Sequence, residues 1–483
     1  MVLCDARKPR QLAELRKDRL LKMSVNAAPS RLFAASRRRE KGYAHLTETA
    51  FSIFLLGLPI WWALGIGFVM PMLLALILLI MRPSVNLHFT LGDCLLAFVI
   101  VALTGSAFVN GFVIAQEPLR FAAAIYNAAI WASALIIVQQ FRALLKDAGD
   151  GRRRILHRAF WSFVVLIPLT WGAFVFAYAV RRFDLQFPSL FGAIAGNRIP
   201  DSAALIRQST TITLTIADWG LHGTPMPRIG IYGPYPNATA IIIAILGVLA
   251  LLHLHNRGGR RAQLAPLLEG LITATLAISL SRSVLAGWLA GLAVAGIAFG
   301  SPFRRFASIA AVAAALLLPL LADLSSLTTY REYSTNSRTD NYVRAVVETL
   351  DNNPVFGLGI KPREEISHIA LGSHSTFISA FTKGGVLGLS LVAAYLLVLP
   401  IIRWLGLAAA ATRLPVVART QLRLLLTLQI TLWAWLVFED IDAPAIASIL
   451  IFLFIAYSEF LAASLQPARR VALQSPMLQS PRS

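Results

Sequence analysis

From Ala50 to Met81 the chain runs 32 residues without one charged side chain. Inside a bilayer the backbone must satisfy its own N–H and C=O groups, so a run of this kind enters hydrocarbon as helix. About 20 helical residues cross the apolar core. The run is too long for one upright helix, and Gly65-Ile-Gly67 offers a turn that divides it in two.

Extended along the chain, the same reading predicts an all-α polytopic transmembrane helix bundle of about 12 spans. They fall at roughly 49–63, 65–81, 93–115, 120–140, 159–180, 235–253, 264–281, 284–300, 306–322, 374–401, 423–438 and 444–463. The expected organisation is a basic tail over 1–48, the bundle over 49–463 and a second tail over 464–483. Composition agrees: 57% of residues are hydrophobic and 14% charged, against about a quarter charged in soluble domains.

The net charge of +20 resides mainly in the tails and in alternate loops. That is the positive-inside pattern of a membrane protein, not the basic, aromatic-interleaved face of a nucleic-acid binder, so no nucleic-acid partner is expected. With the N-terminus inside, the loops around Arg152-Arg153-Arg154, Arg257 to Arg261, Arg304-Arg305 and Arg403 to Arg423 all become cytoplasmic. Both termini are then cytoplasmic, and dividing the first run is what makes the alternation work. The N-terminal tail is too long and too basic for a cleavable signal, and Asp5, Glu14, Asp18 and Glu40 disfavour a transit peptide. Its Arg37-Arg38-Arg39 suits contact with anionic lipid headgroups. Cys4 and Cys94 have no metal-ligand spacing and read as inert thiols. Neither a P-loop nor an internal repeat occurs.

Two expected outside loops are long, at about 181–234 and 323–373. In the second, Tyr342, Val343, Val346, Val347 and Leu350 recur at helical spacing, which predicts an amphipathic helix over Thr339 to Leu350, stopped by Asn352-Asn353-Pro354. "NPVFGLGI" follows, with Gly357 and Gly359 permitting a tight path back into the bundle. In the first, Thr210 to Ile216 reads as a short strand or interfacial segment, and "GPYPNATA" as a rigid approach to a helix.

Several residues could carry chemistry. Arg282, in "LSRSVLAGWLAG", stands between two apolar runs, where an arginine either snorkels to headgroups or binds an anion. Gly287 and Gly291 nearby have the spacing of helix packing. Arg338 is expected at the corner where the loop enters its helix. Arg228, before "IGIYGPYPN", is similar, and Arg331, Arg344, Lys361 and Arg363 share the long loop. His374, in "LGSHSTF", precedes an apolar helix, and imidazole titrates near neutrality, as a general base requires. A lone histidine is more often a satisfied polar residue, and His368 competes with it in the same loop.

The order of features is more telling than any one of them. "LSRSVLAGWLAGLAVAG", "NSRTDNYVRAVVETLDNNPVFGLGI" and "GSHSTFISAFTKGGVLGL" together resemble the C-terminal region of the O-antigen ligase and O-antigen polymerase family over about 279–395. The resemblance implies a metal-independent glycosyltransferase without a cofactor, in the bacterial inner membrane. A glycan would pass, at the periplasmic face, from undecaprenyl diphosphate to the hydroxyl of a glycan or lipid acceptor. It implies that Arg282 and Arg338 meet the charge of the diphosphate and that His374 takes or positions the acceptor proton. Arg228 and Lys361 are further candidates for binding the lipid diphosphate or glycan. Membrane lipid is an expected partner, as is a chain-length regulator or export machinery.

Two forks stay open. Ser375, where many ligase-type members have Asn, leans towards polymerisation of exopolysaccharide or O-antigen units. An O-antigen ligase acting on lipid A-core is the alternative. A transporter of an anionic solute or lipid-linked sugar suits a many-helix bundle, but its charges belong at the midplane.

Overall fold

A computed structural model of the chain describes residues 42–81, 89–114, 118–147, 149–195, 198, 204–219, 225–321, 332–362, 370–372, 374–443 and 445–474. The N-terminal tail up to residue 41, with Cys4, lies outside the described residues, as do Arg331, Arg363 and His368.

The chain opens with α1 (Gly42–Leu56) and α2 (Leu58–Leu64), bent by 60° at a junction where Gly57 precedes Leu58-Pro59. Gly65 closes α2 in the left-handed region at φ 73°, the turn expected within the first apolar run. Then come α3 (Gly67–Met81), α4 (Leu91–Asn110), α5 (Pro118–Asp147) and α6 (Gly149–Ala179). An extramembrane segment follows with β1 (Leu185–Pro188), α7 (Leu190–Ala195), α8 (Ala204–Ser209), β2 (Thr211–Trp219) and β3 (Pro225–Ile229). The second half holds α9 (Pro236–Arg257), α10 (Gly259–Gln263), α11 (Ala265–Ile278), α12 (Arg282–Phe299) and α13 (Pro302–Leu321). It ends with α14 (Glu332–Asn352), α15 (Thr376–Ala393), α16 (Leu399–Ala409), α17 (Val416–Phe438) and α18 (Ala445–Gln474).

Among the described residues eight helices are long and apolar enough to cross a membrane, nine if the bent pair is one span. The chain is a multi-pass, all-α membrane bundle. Eight of the twelve expected spans coincide with these helices. Those at 49–63, 65–81 and 264–281 fall on the bent pair and on shorter helices, because an apolar run fixes burial better than it fixes helix length. That at 306–322 falls on α13, whose side chains are described only as far as residue 313.

The core forms around α9. Its sequence, "ATAIIIAILGVLALL", is apolar on every side, and such a helix is stable only when surrounded. It is enclosed by α6, α11, α17 and α18. Against α17, α12 sets Gly287 and Gly291, where a Cβ would lie 3.0 Å from Thr431 Cα and 2.5 Å from Thr427 O. Their spacing is thus used for helix packing.

Two features depart from a simple bundle. The segment Thr210 to Ile216, read as a short strand or an interfacial segment, falls on the strand β2 at the centre of a three-stranded antiparallel sheet in the order β1-β2-β3. And α15 is broken at Gly385 (φ 60°, ψ −157°). The break leaves carbonyls exposed within the bundle, which is tolerable only where protein satisfies them. "NPVFGLGI" does so: Leu358 N–H donates to Thr382 O (2.8 Å) and Gly359 N–H to Lys383 O (3.0 Å), while Val386 N–H returns to Pro354 O (2.8 Å). The backbones meet so closely that a Cβ on Gly357 would lie 2.4 Å from Gly385 N. Ser106 of α4 donates to Lys383 O (2.7 Å) and locks the turn from the other side.

Candidate active site

The starts of α9, α12 and α15 and the end of α17 gather at one end of the bundle, and three acidic residues leave α17 together as Glu439, Asp440 and Asp442. Thr376, on the first turn of α15, ties that exit down. Its hydroxyl donates to Glu439 O (2.7 Å) and accepts from Ile441 N–H (3.0 Å). A helix start and a helix end are thereby held in register.

His374 lies two residues before α15 with φ 74°, a left-handed conformation uncommon for residues other than Gly. Tyr342 of α14 donates its hydroxyl to His374 O, and Asn341 Oδ1 accepts Gly372 N–H (2.9 Å), so α14 holds the loop in this path. Burial pushes the Tyr342 phenol up to about 12, with Glu439 and Asp440 adding to the rise against Arg338. It therefore stays a donor.

Glu439 is the hub. Its Oε2 lies 4.0 Å from His374 Nδ1 and its Oε1 3.6 Å from Arg338 Nη2. Asn237, at the start of α9, donates its amide to the same carboxylate. Arg228, on β3, donates to Asn237 Oδ1 (3.1 Å) and reaches Leu280 O (3.5 Å). Leu280, at φ 52°, precedes Ser281 and Arg282, the first residue of α12. Accessibility divides the group: the His374 side chain is 43% exposed and that of Arg338 29%, while Glu439 is 2% exposed. The imidazole and guanidinium can meet a ligand, and the carboxylate acts from beneath.

One expectation about the long loop changes. Its helix begins at Glu332, seven residues before Thr339, so Arg338 sits inside α14 and not at the loop corner. The polar run "EYSTNS" gives no apolar periodicity to reveal those first turns. Lys361, expected among the diphosphate or glycan ligands, is 13% exposed and pairs with Asp440. Lys383 completes the cluster, bonding Asp442 (2.6 Å) and lying 4.0 Å from Asp440, while Trp131 Nε1 donates to Asp442 (3.3 Å). Burial resists ionisation of Asp440, but the two ammonium groups outweigh it and hold its carboxyl below the usual range. Burial and the neighbouring Asp440 raise that of Asp442. Burial also lowers Lys361, against the attraction of Asp440. Among the described residues no group of three or more His, Cys, Asp or Glu is arranged to hold a metal ion.

Residues 267–393 match the family described as O-antigen ligase. The chain carries an O-antigen ligase domain. A search of the curated proteins finds no match to the chain. The O-antigen ligase domain runs from α11 to the end of α15 and includes Arg282, Arg338, Lys361 and His374. Arg228, Asn237 and Glu439 lie outside it and are brought to it by folding. The domain makes glycan transfer of the O-antigen ligase or polymerase kind, within polysaccharide biosynthesis at a membrane, the general activity.

Glu439 and Asn237 are not singled out by the sequence, and Tyr342 enters it only as part of the apolar spacing of its helix. A signal existed for the first: three acids within four residues, between two apolar runs, in a chain with 24 Asp and Glu among 483 residues. An ionisable group at a membrane boundary marks a functional question whatever its sign.

Proposed function

We propose that the protein transfers a glycan from undecaprenyl diphosphate to an acceptor hydroxyl at the periplasmic face, without a metal. The observation that carries the proposal is the meeting of His374 and Arg338 on the one buried carboxylate of Glu439. In the transfer, the acceptor O–H attacks the anomeric carbon, the carbon–oxygen bond to the diphosphate breaks, and the lipid diphosphate leaves with the electron pair. The acceptor proton goes to His374. Glu439 facing Nδ1 favours the tautomer with hydrogen there, which leaves the Nε2 lone pair for the acceptor proton. Arg338 and Arg282 meet the growing charge on the diphosphate, since guanidinium matches phosphate in a planar fork. Arg228 braces Asn237 beneath them. Lys361 is assigned here to holding the acidic turn.

Polymerisation of repeat units is the form of transfer we favour, with ligation to lipid A-core as the other. Ser375, where many ligase-type members have Asn, supports the first; it is the N-cap of α15, accepting from Ile378 N–H (3.4 Å). The test is the surface and secreted glycan of a deletion strain. Single-repeat chains support polymerisation, undecorated lipid A-core supports ligation, and unchanged glycan rejects transfer altogether.

A further inference from the structure

Asn237 stands between a cation and an anion. Arg228 Nη2 donates to its Oδ1 (3.1 Å), and its own Nδ2 donates to Glu439 Oε1. A guanidinium only donates and a carboxylate only accepts, so a side chain between them must accept on one face and donate on the other. The two partners therefore fix which way the amide points. Aspartate, the nearest isostere, would turn lone pairs towards Glu439, and leucine would leave both neighbours unmet. Asn237 is 9% exposed and Glu439 2%, so water is poorly placed to replace the bond between them.

The backbone of Asn237 is held as well. Pro236 opens the first turn of α9, and the fully buried Trp435 donates its Nε1 to Asn237 O (3.1 Å). Trp435 lies four residues before Glu439, so the end of α17 grips Asn237 by main chain and side chain together. This arrangement divides the carboxylate. Asn237 and Arg338 face Oε1, and Oε2 is turned to His374 Nδ1.

We infer that Asn237 is a positioning residue for glycan transfer: it sets the rotation of the Glu439 carboxylate, so that one oxygen is kept for His374. Arg228, in turn, orients the amide. This role rests on glycan transfer as proposed above, and it falls to a residue outside the O-antigen ligase domain. Because Asn237 works through Glu439, its loss should matter only while position 439 holds a carboxylate. A residue that merely packs would be missed equally in either background.

The test is the rate of transfer by the full-length protein in detergent, with solubilised membranes of the deletion strain supplying donor and acceptor. Asn237→Asp keeps the size and exchanges a donor for an acceptor. It should lower the maximal rate about tenfold or more, and leave the half-saturating amount of membrane extract within about twofold. Added to Glu439→Gln, it should cost less than about twofold. Its melting temperature should recover in that pair, since Glu439→Gln supplies the missing donor. If Asn237→Asp does not accumulate, Asn237→Ala, which leaves room for water, is read in the same two backgrounds by the same criterion. A wild-type rate in the single variant, or an equal loss in both backgrounds, overturns this role and leaves the transfer reading standing. No product from the wild-type protein overturns the transfer reading, and the role of Asn237 with it.

Discussion

Glu439 places one carboxylate oxygen 4.0 Å from His374 Nδ1 and so couples the end of α17 to the loop before α15. The same carboxylate lies 3.6 Å from Arg338, and Asn237 donates to it from a third element. A carboxylate in that position orients an imidazole, so Glu439 is proposed as a positioning group. Glu439→Gln keeps the shape and removes the charge. We expect a loss of about 10²-fold in transfer rate, within the range of general-base effects, with partial recovery in Glu439→Asp. The pH profile of the rate should shift in Glu439→Gln. A merely structural role would lower protein yield and leave the profile of the surviving enzyme in place.

Arg282→Lys and Arg338→Lys keep a positive charge and lose the planar fork. Each should retain little glycan product at normal membrane expression. Near-normal product from both would assign these arginines to headgroup contact.

Lys361→Met leaves Asp440 buried with one cation fewer, and breaking a buried pair in this way costs about 3–5 kcal/mol. The variant should melt earlier in detergent, and Lys361→Met combined with Asp440→Leu should recover part of the loss. Asp440 is ionised more readily folded than unfolded, so its contribution to stability is complete above its unfolded range. It is lost as pH falls through the lower folded value. Acidification from neutrality should therefore destabilise the wild type more than the double variant, as thermal melts across that range would read.

We expect the turn between α5 and α6 and both termini in the cytoplasm, with the segments at 181–234 and 323–373 in the periplasm. The basic residues of α10 and of the start of α13 lie at the opposite end from His374, as that orientation requires. Reporter fusions at Gly149 and Ser325 should give opposite signals. The same compartment for both would move the proposed chemistry to the wrong face.

Much of the fold was legible because burial in a membrane depends on apolar run length, which can be counted directly. Long spans such as α9 and α17 were therefore visible, whereas α1–α2 and α11 were not, since where a helix ends depends on Gly57, Pro59 and local caps. His374 and Arg338 were visible as charged groups at apolar borders. Glu439 became meaningful only when folding carried it 65 positions across the sequence to His374. The burial of Lys361 was likewise hidden, because Asp440, its partner, lies 79 residues away.

The most direct measurement is glycan product from His374→Ala and His368→Ala in cells, quantified at matched membrane expression. Loss of a general base costs about 10²–10⁴-fold in rate, so His374→Ala should insert normally and yield little product. His368→Ala, six positions earlier in the loop, should stay close to wild type. An inactive His368→Ala beside an active His374→Ala would contradict the account, and with it the role of Glu439 beneath the imidazole.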